Sequence, residues 1–184
     1  MREFSVNRAK LAEMAVSIHA QNLEMGWWDK WLDNKSDRHE TAMMLVISEL
    51  GEAMEGDRKD LMDDHLPDYP MFSVELADAL IRLLDLAGAY EINFEAVDVE
   101  LLSYEMHAYL RQLTKPEGLY YVCKQIARCN GKSAEVWFGI AGVMALAMTH
   151  DIDIIPISEE KIAYNAVRAD HKKELRAQKG GKAY

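Results

Sequence analysis

Two pairs of carboxylates with helical spacing are the residues of this sequence best suited to chemistry. Glu49 and Glu52 lie three positions apart in the segment SELGEAMEG, and Glu75 and Asp78 repeat that spacing in VELADALIRLLDLAG. Residues three apart share one face of a helix, so each pair presents two acids side by side. Carboxylate-only ligation is typical of a hard divalent cation such as Mg²⁺ or Mn²⁺. Water and phosphate oxygens complete the coordination of such a cation.

The helices that must carry these acids are strongly apolar. In the second segment, apolar residues fill almost every position, and the exceptions form one stripe: Glu75, Asp78, Arg82 and Asp85. A helix that is apolar nearly all round is buried, and unpaired buried carboxylates are costly and repel one another. We therefore interpret the four acids as a metal site. The alternative is that they are solvated, or paired with basic neighbours such as Arg82.

The chain around these two helices is predicted to be an all-α bundle. No stretch alternates with a period of two, and the four prolines fall between the apolar stretches. Ser73, Ser133 and Ser158 are expected to be helix N-caps. The predicted helices span 5–24, 38–60, 73–90, 95–113, 117–129, 133–149 and 158–176.

Length and charge narrow the class of protein. A chain of 184 residues, 49% apolar and 28% charged, is sufficient for one domain with a substantial core, expected to span 1–184. Its net charge of −10 argues against nucleic acid and anionic membranes as partners, because both are bound through basic surfaces. The charge is divided: 161–184 carries a net of +5, and 1–160 carries −15.

Cysteine content and the start of the chain favour a cytoplasmic protein. Cys123 and Cys129 match no zinc spacing and are too few for a disulfide framework, and 1–14 lacks the apolar core of a signal peptide. The longest apolar run, 136–148, is shorter than the roughly 20 residues that span a bilayer. We expect a core or oligomer-interface helix there, in a bacterial cytoplasm or in a host cytoplasm if a phage encodes the protein.

The two acidic segments resemble those of the MazG-like all-α nucleoside triphosphate pyrophosphohydrolases. That family pairs an E-x-x-E helix with an E-x-x-D helix, as SELGEAMEG and VELADALIRLLDLA do here. The resemblance implies Mg²⁺, replaceable by Mn²⁺, bound by Glu49, Glu52, Glu75 and Asp78. It also implies cleavage between the α and β phosphates. Glu49 or Glu52 is expected to activate the attacking water, and the choice between them stays open.

Flanking segments extend the resemblance. HAQNLEMGWW resembles the family's base-pocket segment, which implies substrate contacts from His19, Asn22 and Trp28. KIAYNAVRADH carries the family's K-x-x-x-N pattern, and GGKAY resembles the ending of phage and bacterial members. The residues expected to hold phosphate and sugar are Lys161, Asn165, Arg168 and Lys182, with Arg82 as a further substrate-binding candidate.

The segment 94–155 departs from compact members of that family. Set over 74–93, the segment 134–153 is identical at four of twenty positions. The insert is therefore either a faded repeat, which would make one chain a pseudo-dimer, or an unrelated helical cover. The resemblance also implies a homo-oligomer, either a dimer or a tetramer.

The resulting prediction is metal-dependent hydrolysis of nucleoside triphosphates to monophosphate and pyrophosphate. Deoxynucleotides are favoured, with purines as candidate bases. Two rivals remain open. One is a dUTPase-like or phosphoribosyl-ATP pyrophosphohydrolase activity on the same helices. The other is a non-catalytic, nucleotide-binding regulatory module.

Overall fold

The fold is a bundle of α-helices, as the sequence predicts. The structure is a computed structural model that describes residues 7–96, 98–129 and 133–168, and these residues form no strand. Two short 3₁₀ turns, Asp29–Trp31 and Lys35–Arg38, connect the first two helices. The described residues form seven helices: α1 (Arg8–Glu24), α2 (His39–Lys59), α3 (Met71–Ala89), α4 (Val99–Leu110), α5 (Lys115–Ile126), α6 (Ser133–Thr149) and α7 (Ile154–Val167).

Several helix starts differ from the prediction: α1 begins at Arg8 and α4 at Val99, later than the predicted 5 and 95, and α3 and α7 begin earlier than predicted. Ser73 and Ser158 are not N-caps, because α3 begins after Pro70 and α7 begins four residues before Ser158. The Ser158 hydroxyl instead donates to a main-chain carbonyl one turn earlier in α7, at 2.8 Å. Pro116 and Pro156 lie in the first turns of α5 and α7. Proline is tolerated there because those N–H groups have no partner within the helix.

Helix α3 is the centre of the bundle. It packs against α1, α2, α6 and α7, and fourteen of its nineteen residues are buried. The apolar composition read from the sequence is therefore explained by neighbours on nearly every side. The acidic pair of α2 faces the acidic pair of α3 because these two helices pack together extensively.

The apolar run at 136–148 is part of the core. It lies in α6, which packs against α3, α4 and α5, and its large side chains are buried apart from Phe138. A second subunit is not needed to cover it. Among the described residues, no single helix is both long and apolar enough to cross a membrane. The pair Glu135–Thr149 and Ile154–Val167 meets the test only when joined across a 114° bend.

The insert and the first half of the chain share helix endings and packing partners, which leave both interpretations of the insert open. Sixty residues apart, α3 and α6 end in the same way: Glu91 and Asp151 have φ angles of 52° and 55°. The next residues, Ile92 and Ile152, each donate an N–H to the carbonyl five positions earlier, at 3.0 Å. Moreover, α2 packs on α3 as α5 packs on α6, and α7 packs on α3 as α4 packs on α6. Helices α1 and α2 end in the same way, at Gly26 and Asp60, so this ending alone does not distinguish a repeat from an unrelated insert.

One glycine sets the closeness of α1 to α3. A Cβ on Gly88 would lie 2.4 Å from the main-chain oxygen of Ala15 and 2.7 Å from the Cβ of His19. No side chain fits in that space, so only glycine permits this approach. The contact holds His19 against the α3 face that carries Asp85.

Candidate active site

The predicted acids meet where α2 packs on α3. One carboxylate oxygen from each of Glu49, Glu52 and Glu75 lies within 4.8 Å of the other two. Glu49 and Glu75 are buried, whereas Glu52 is exposed. Asp78 lies one turn further along α3, next to this cluster but outside the 4.8 Å set. The structure thus brings three of the four predicted ligands into direct proximity and keeps the fourth beside them.

Burial and neighbouring negative charges make Glu75 and Asp78 hard to ionise. Burial, followed by the charges of Asp78, Glu49 and Glu52, raises the pKa of Glu75 to about 9. Burial also raises the pKa of Asp78 to about 6, although the charge of Lys161 opposes that shift. A divalent cation would lower both pKa values, because it stabilises the ionised carboxylates.

Two cations of the chain engage the cluster. The guanidinium of Arg82 donates through Nε and Nη2 to one oxygen of Glu49. Lys161 is buried, and its Nζ lies 3.0 Å from Asp78 Oδ2 and 3.9 Å from Asp63 Oδ1. Burial alone would lower the pKa of Lys161, but its charge interaction and hydrogen bond with Asp78 raise it above the usual value. The lysine is therefore charged at neutral pH.

The donor set fits a hard cation. Glutamate oxygens are ligands that Mg²⁺ and Mn²⁺ accept, and the partial exposure of the cluster leaves room for water and substrate oxygens. The raised pKa of Glu75, caused first by burial and then by the charges of Asp78, Glu49 and Glu52, is a further observation in favour, because a bound cation would stabilise its ionised form. No histidine or cysteine joins this cluster among the described residues, which disfavours zinc.

These groups line a cavity of about 460 Å³, a volume suited to a small ligand. Most predicted substrate residues lie on its wall, and the stripe on α3 follows its length. His19 is the described exception, because it lies behind the wall. Lys182 falls outside the described residues. The predicted residues that line the cavity are Asn22, Trp28, Glu49, Glu52, Glu75, Asp78, Arg82, Lys161, Asn165 and Arg168.

A buried hydrogen-bond network lies where Asp85, the last member of the stripe, reaches the cavity. The indole N–H of Trp28 donates to both oxygens of Asp85, at 3.0 and 3.1 Å, and His19 Nδ1 lies 2.9 Å from Asp85 Oδ1. The ring of Trp28 is only 1% exposed, and the guanidinium of Arg38 lies 4.3 Å from its centre. Trp28 therefore forms a fixed part of the cavity wall. Half-buried Trp27 lines the same cavity and has more of its surface accessible.

The sequence did not single out several residues of this wall. Arg38 lies in a short 3₁₀ turn, and its Nη1 donates to the carbonyl of Trp27 at 2.7 Å. His65 lies in the loop between α2 and α3, and Gln21 precedes the predicted Asn22. None of them belongs to a spacing pattern. The available signal was weak: Arg38 follows a cluster of tryptophans, which often stack on arginine.

The chain was compared with known proteins in three ways. Comparison of the chain with models of known protein families, with curated proteins and with solved structures gives no match. The function of the cavity is therefore argued from its own residues.

Proposed function

We propose that the protein is a Mg²⁺-dependent nucleoside triphosphate pyrophosphohydrolase that cleaves between the α and β phosphates. The observation that carries this proposal is the meeting of three glutamates with two protein cations at one end of a cavity. A substrate with several phosphates needs both kinds of group, because a metal and cations share its charge. A substrate without phosphate would leave Lys161 and Arg82 with no role beyond neutralising the acids.

The metal would be held by Glu49, Glu52, Glu75 and Asp78. Bound Mg²⁺ supplies Lewis-acid polarisation of phosphate oxygens and makes water a better nucleophile at neutral pH. Within the chain, exposed Glu52 has more access to solvent than buried Glu49. This difference favours Glu52 as the group that orients or deprotonates the attacking water.

The opposite end of the cavity suits a nucleoside. Asn22 and Gln21 offer amide donors and acceptors, and Trp27 offers an aromatic surface on which a base can stack. Trp28 and His19 act indirectly in this proposal, because their bonds to Asp85 fix the wall. The cavity therefore pairs a polar, charged end for phosphates with an aromatic, amide-bearing end for the base.

Incubation with the eight common NTPs and dNTPs, plus Mg²⁺ or Mn²⁺, tests this function. The expected products are a nucleoside monophosphate and pyrophosphate, with deoxynucleotides turned over fastest, and the Glu75→Gln variant should release no pyrophosphate while remaining folded. Adding dUTP and phosphoribosyl-ATP to the panel separates the sister activities. Wild-type turnover in Glu75→Gln would overturn the metal assignment. Nucleotide binding by calorimetry without any hydrolysis would favour a regulatory module instead.

A further inference from the structure

The loop between α2 and α3 is held by hydrogen bonds to its main chain, and its His65 lines the cavity. Asp63 is buried, and its Oδ1 accepts hydrogen bonds from the main-chain N–H groups of His65 and Leu66, at 2.9 and 2.8 Å. At the base of the loop, the Asp63 N–H donates to the carbonyl of Tyr69 at 3.0 Å. The position of His65 is thus fixed by main-chain bonds, which a change of its side chain would leave in place.

The imidazole of His65 lies at the cation-bearing end of the cavity. It lines the wall together with Lys161, Asn165 and Arg168 of α7. Its ring centre lies 5.0 Å from that of Tyr164, and the guanidinium of Arg168 lies 5.7 Å from the same tyrosine ring. The side chains of His65 and Arg168 therefore both pack against the ring of Tyr164.

Two further observations indicate that this group of residues faces a ligand that carries an anion. The Oδ1 atom of Asn165 is a buried acceptor without a hydrogen-bond partner among the described residues, so it can accept a hydrogen bond from a hydroxyl group of the ligand. Burial and the charges of Lys161 and Arg168 lower the pKa of His65, while Asp63 and Asp64 oppose that shift. An anion placed among these residues would relieve the repulsion that the two cations exert on the imidazole.

We propose that His65 contacts the β and γ phosphates and, after cleavage, holds the departing pyrophosphate together with Lys161 and Arg168. This inference rests on the proposed function and adds a residue to it. The imidazole N–H donates a hydrogen bond to a phosphate oxygen, and the two cations balance the phosphate charge. Asp63 is a positioning residue, since it fixes the loop and lies beside Lys161.

Two substitutions at position 65 separate phosphate binding from packing. His65→Phe keeps an aromatic ring against Tyr164 but removes the N–H donor, whereas His65→Gln loses the ring and keeps an amide donor. The probe is inorganic pyrophosphate with Mg²⁺, titrated by calorimetry. We expect about tenfold weaker binding in His65→Phe, the loss of one hydrogen bond to a charged group, and a smaller loss in His65→Gln. A purely structural role predicts the reverse order.

The same variants should bind nucleoside monophosphate within about twofold of wild type, since that product leaves the His65 end empty. His150→Gln is the matched control, because His150 packs on Phe72 away from the cavity wall. In wild type, the imidazole C–H resonance that disappears in His65→Phe should shift when pyrophosphate is added. Unchanged pyrophosphate affinity in His65→Phe, or no pyrophosphate binding by wild type, would overturn the inference. Neither measurement requires turnover, so a failure here is distinct from a failure of the proposed hydrolysis.

Discussion

Lys161 Nζ lies 3.0 Å from Asp78 Oδ2. One of the four carboxylates proposed to bind the metal is thus already paired with a cation of the chain. Arg82 engages Glu49 in the same manner. The protein thus supplies its own counter-ions to the acidic cluster. A metal that takes up these carboxylates must compete with them, and the cations it displaces would be left beside the proposed path of the phosphates.

The first prediction follows from that competition. Lys161→Met should bind Mn²⁺ about tenfold more tightly in the absence of nucleotide, because a competing cation is gone. Release of pyrophosphate should nevertheless fall by about 100-fold, because a phosphate-neutralising group is also gone. Calorimetry with Mn²⁺ alone and a pyrophosphate assay measure the two effects.

Lys115→Met is the control for this variant. Lys115 forms an ion pair with Asp57, at 2.6 Å, and neither residue lines the cavity. Its removal should change neither the Mn²⁺ affinity nor the turnover. Equal or weaker Mn²⁺ binding in Lys161→Met would contradict the competition between lysine and metal.

The second prediction concerns stability against pH. The pKa of Glu75 is about 9 in the fold against 4.5 for an ordinary glutamate, so between these values the folded protein holds a proton that the unfolded chain has lost. The free energy of unfolding of the metal-free protein should therefore rise as the pH is lowered from about 9 towards 4.5. Urea unfolding across this range tests the slope. Glu75→Gln removes the titrating group, and an identical slope in that variant would rule out Glu75 as its source.

The third prediction is proton release on metal binding. At pH 7 the carboxyl group of Glu75 is protonated, and a metal that takes it as a ligand must displace the proton. The apparent enthalpy of Mn²⁺ binding should therefore depend on the ionisation enthalpy of the buffer, with about one proton released per chain. Glu75→Gln should show little buffer dependence at saturating Mn²⁺. A buffer-independent enthalpy in wild type would mean that no protonated Glu75 becomes a ligand, which contradicts the prediction.

The fourth prediction compares two glycines within helices. Gly88→Ala forces a Cβ to 2.4 Å from a main-chain oxygen, so we expect a loss of about 1–3 kcal/mol in the free energy of unfolding. A Cβ on Gly51 meets nothing within 4 Å, so Gly51→Ala should gain about 0.5–1 kcal/mol. Urea unfolding of both variants provides the comparison. A neutral Gly88→Ala would show that α1 can move away from α3 at little cost.

Much of the helical fold could be predicted from the apolar period, because burial on α3 and α6 leaves a strong pattern. The helix starts were less predictable, since Ser158 looks like a cap but lies inside α7, where its hydroxyl bonds to the main chain. The end of α4 was placed three residues too late, at 113, because the apolar pattern continues into the turn after Leu110.

The acidic end of the cavity was the predictable part of the site. Its acids follow a helical spacing, which sequence periodicity can detect. His65 and Arg38 could not be found in this way, because loop and turn residues reach the cavity through tertiary packing and carry no period. The pairing of Lys161 with Asp78 was equally hidden, since 83 positions separate the two residues and only the packing of α7 on α3 joins them.

The stripe on α3 has one more consequence, for ligand length. Glu75 and Asp85 are ten positions apart on one helix, which separates them by about 15 Å along its axis. Inserting one residue between them would rotate Asp85 by about 100°, out of the cavity, whereas three or four residues would restore its direction and lengthen the span by about 5 Å. Single substitutions can therefore change the chemistry at either end of the stripe. The distance between Glu75 and Asp85 along the cavity, in contrast, can change only by whole helical turns.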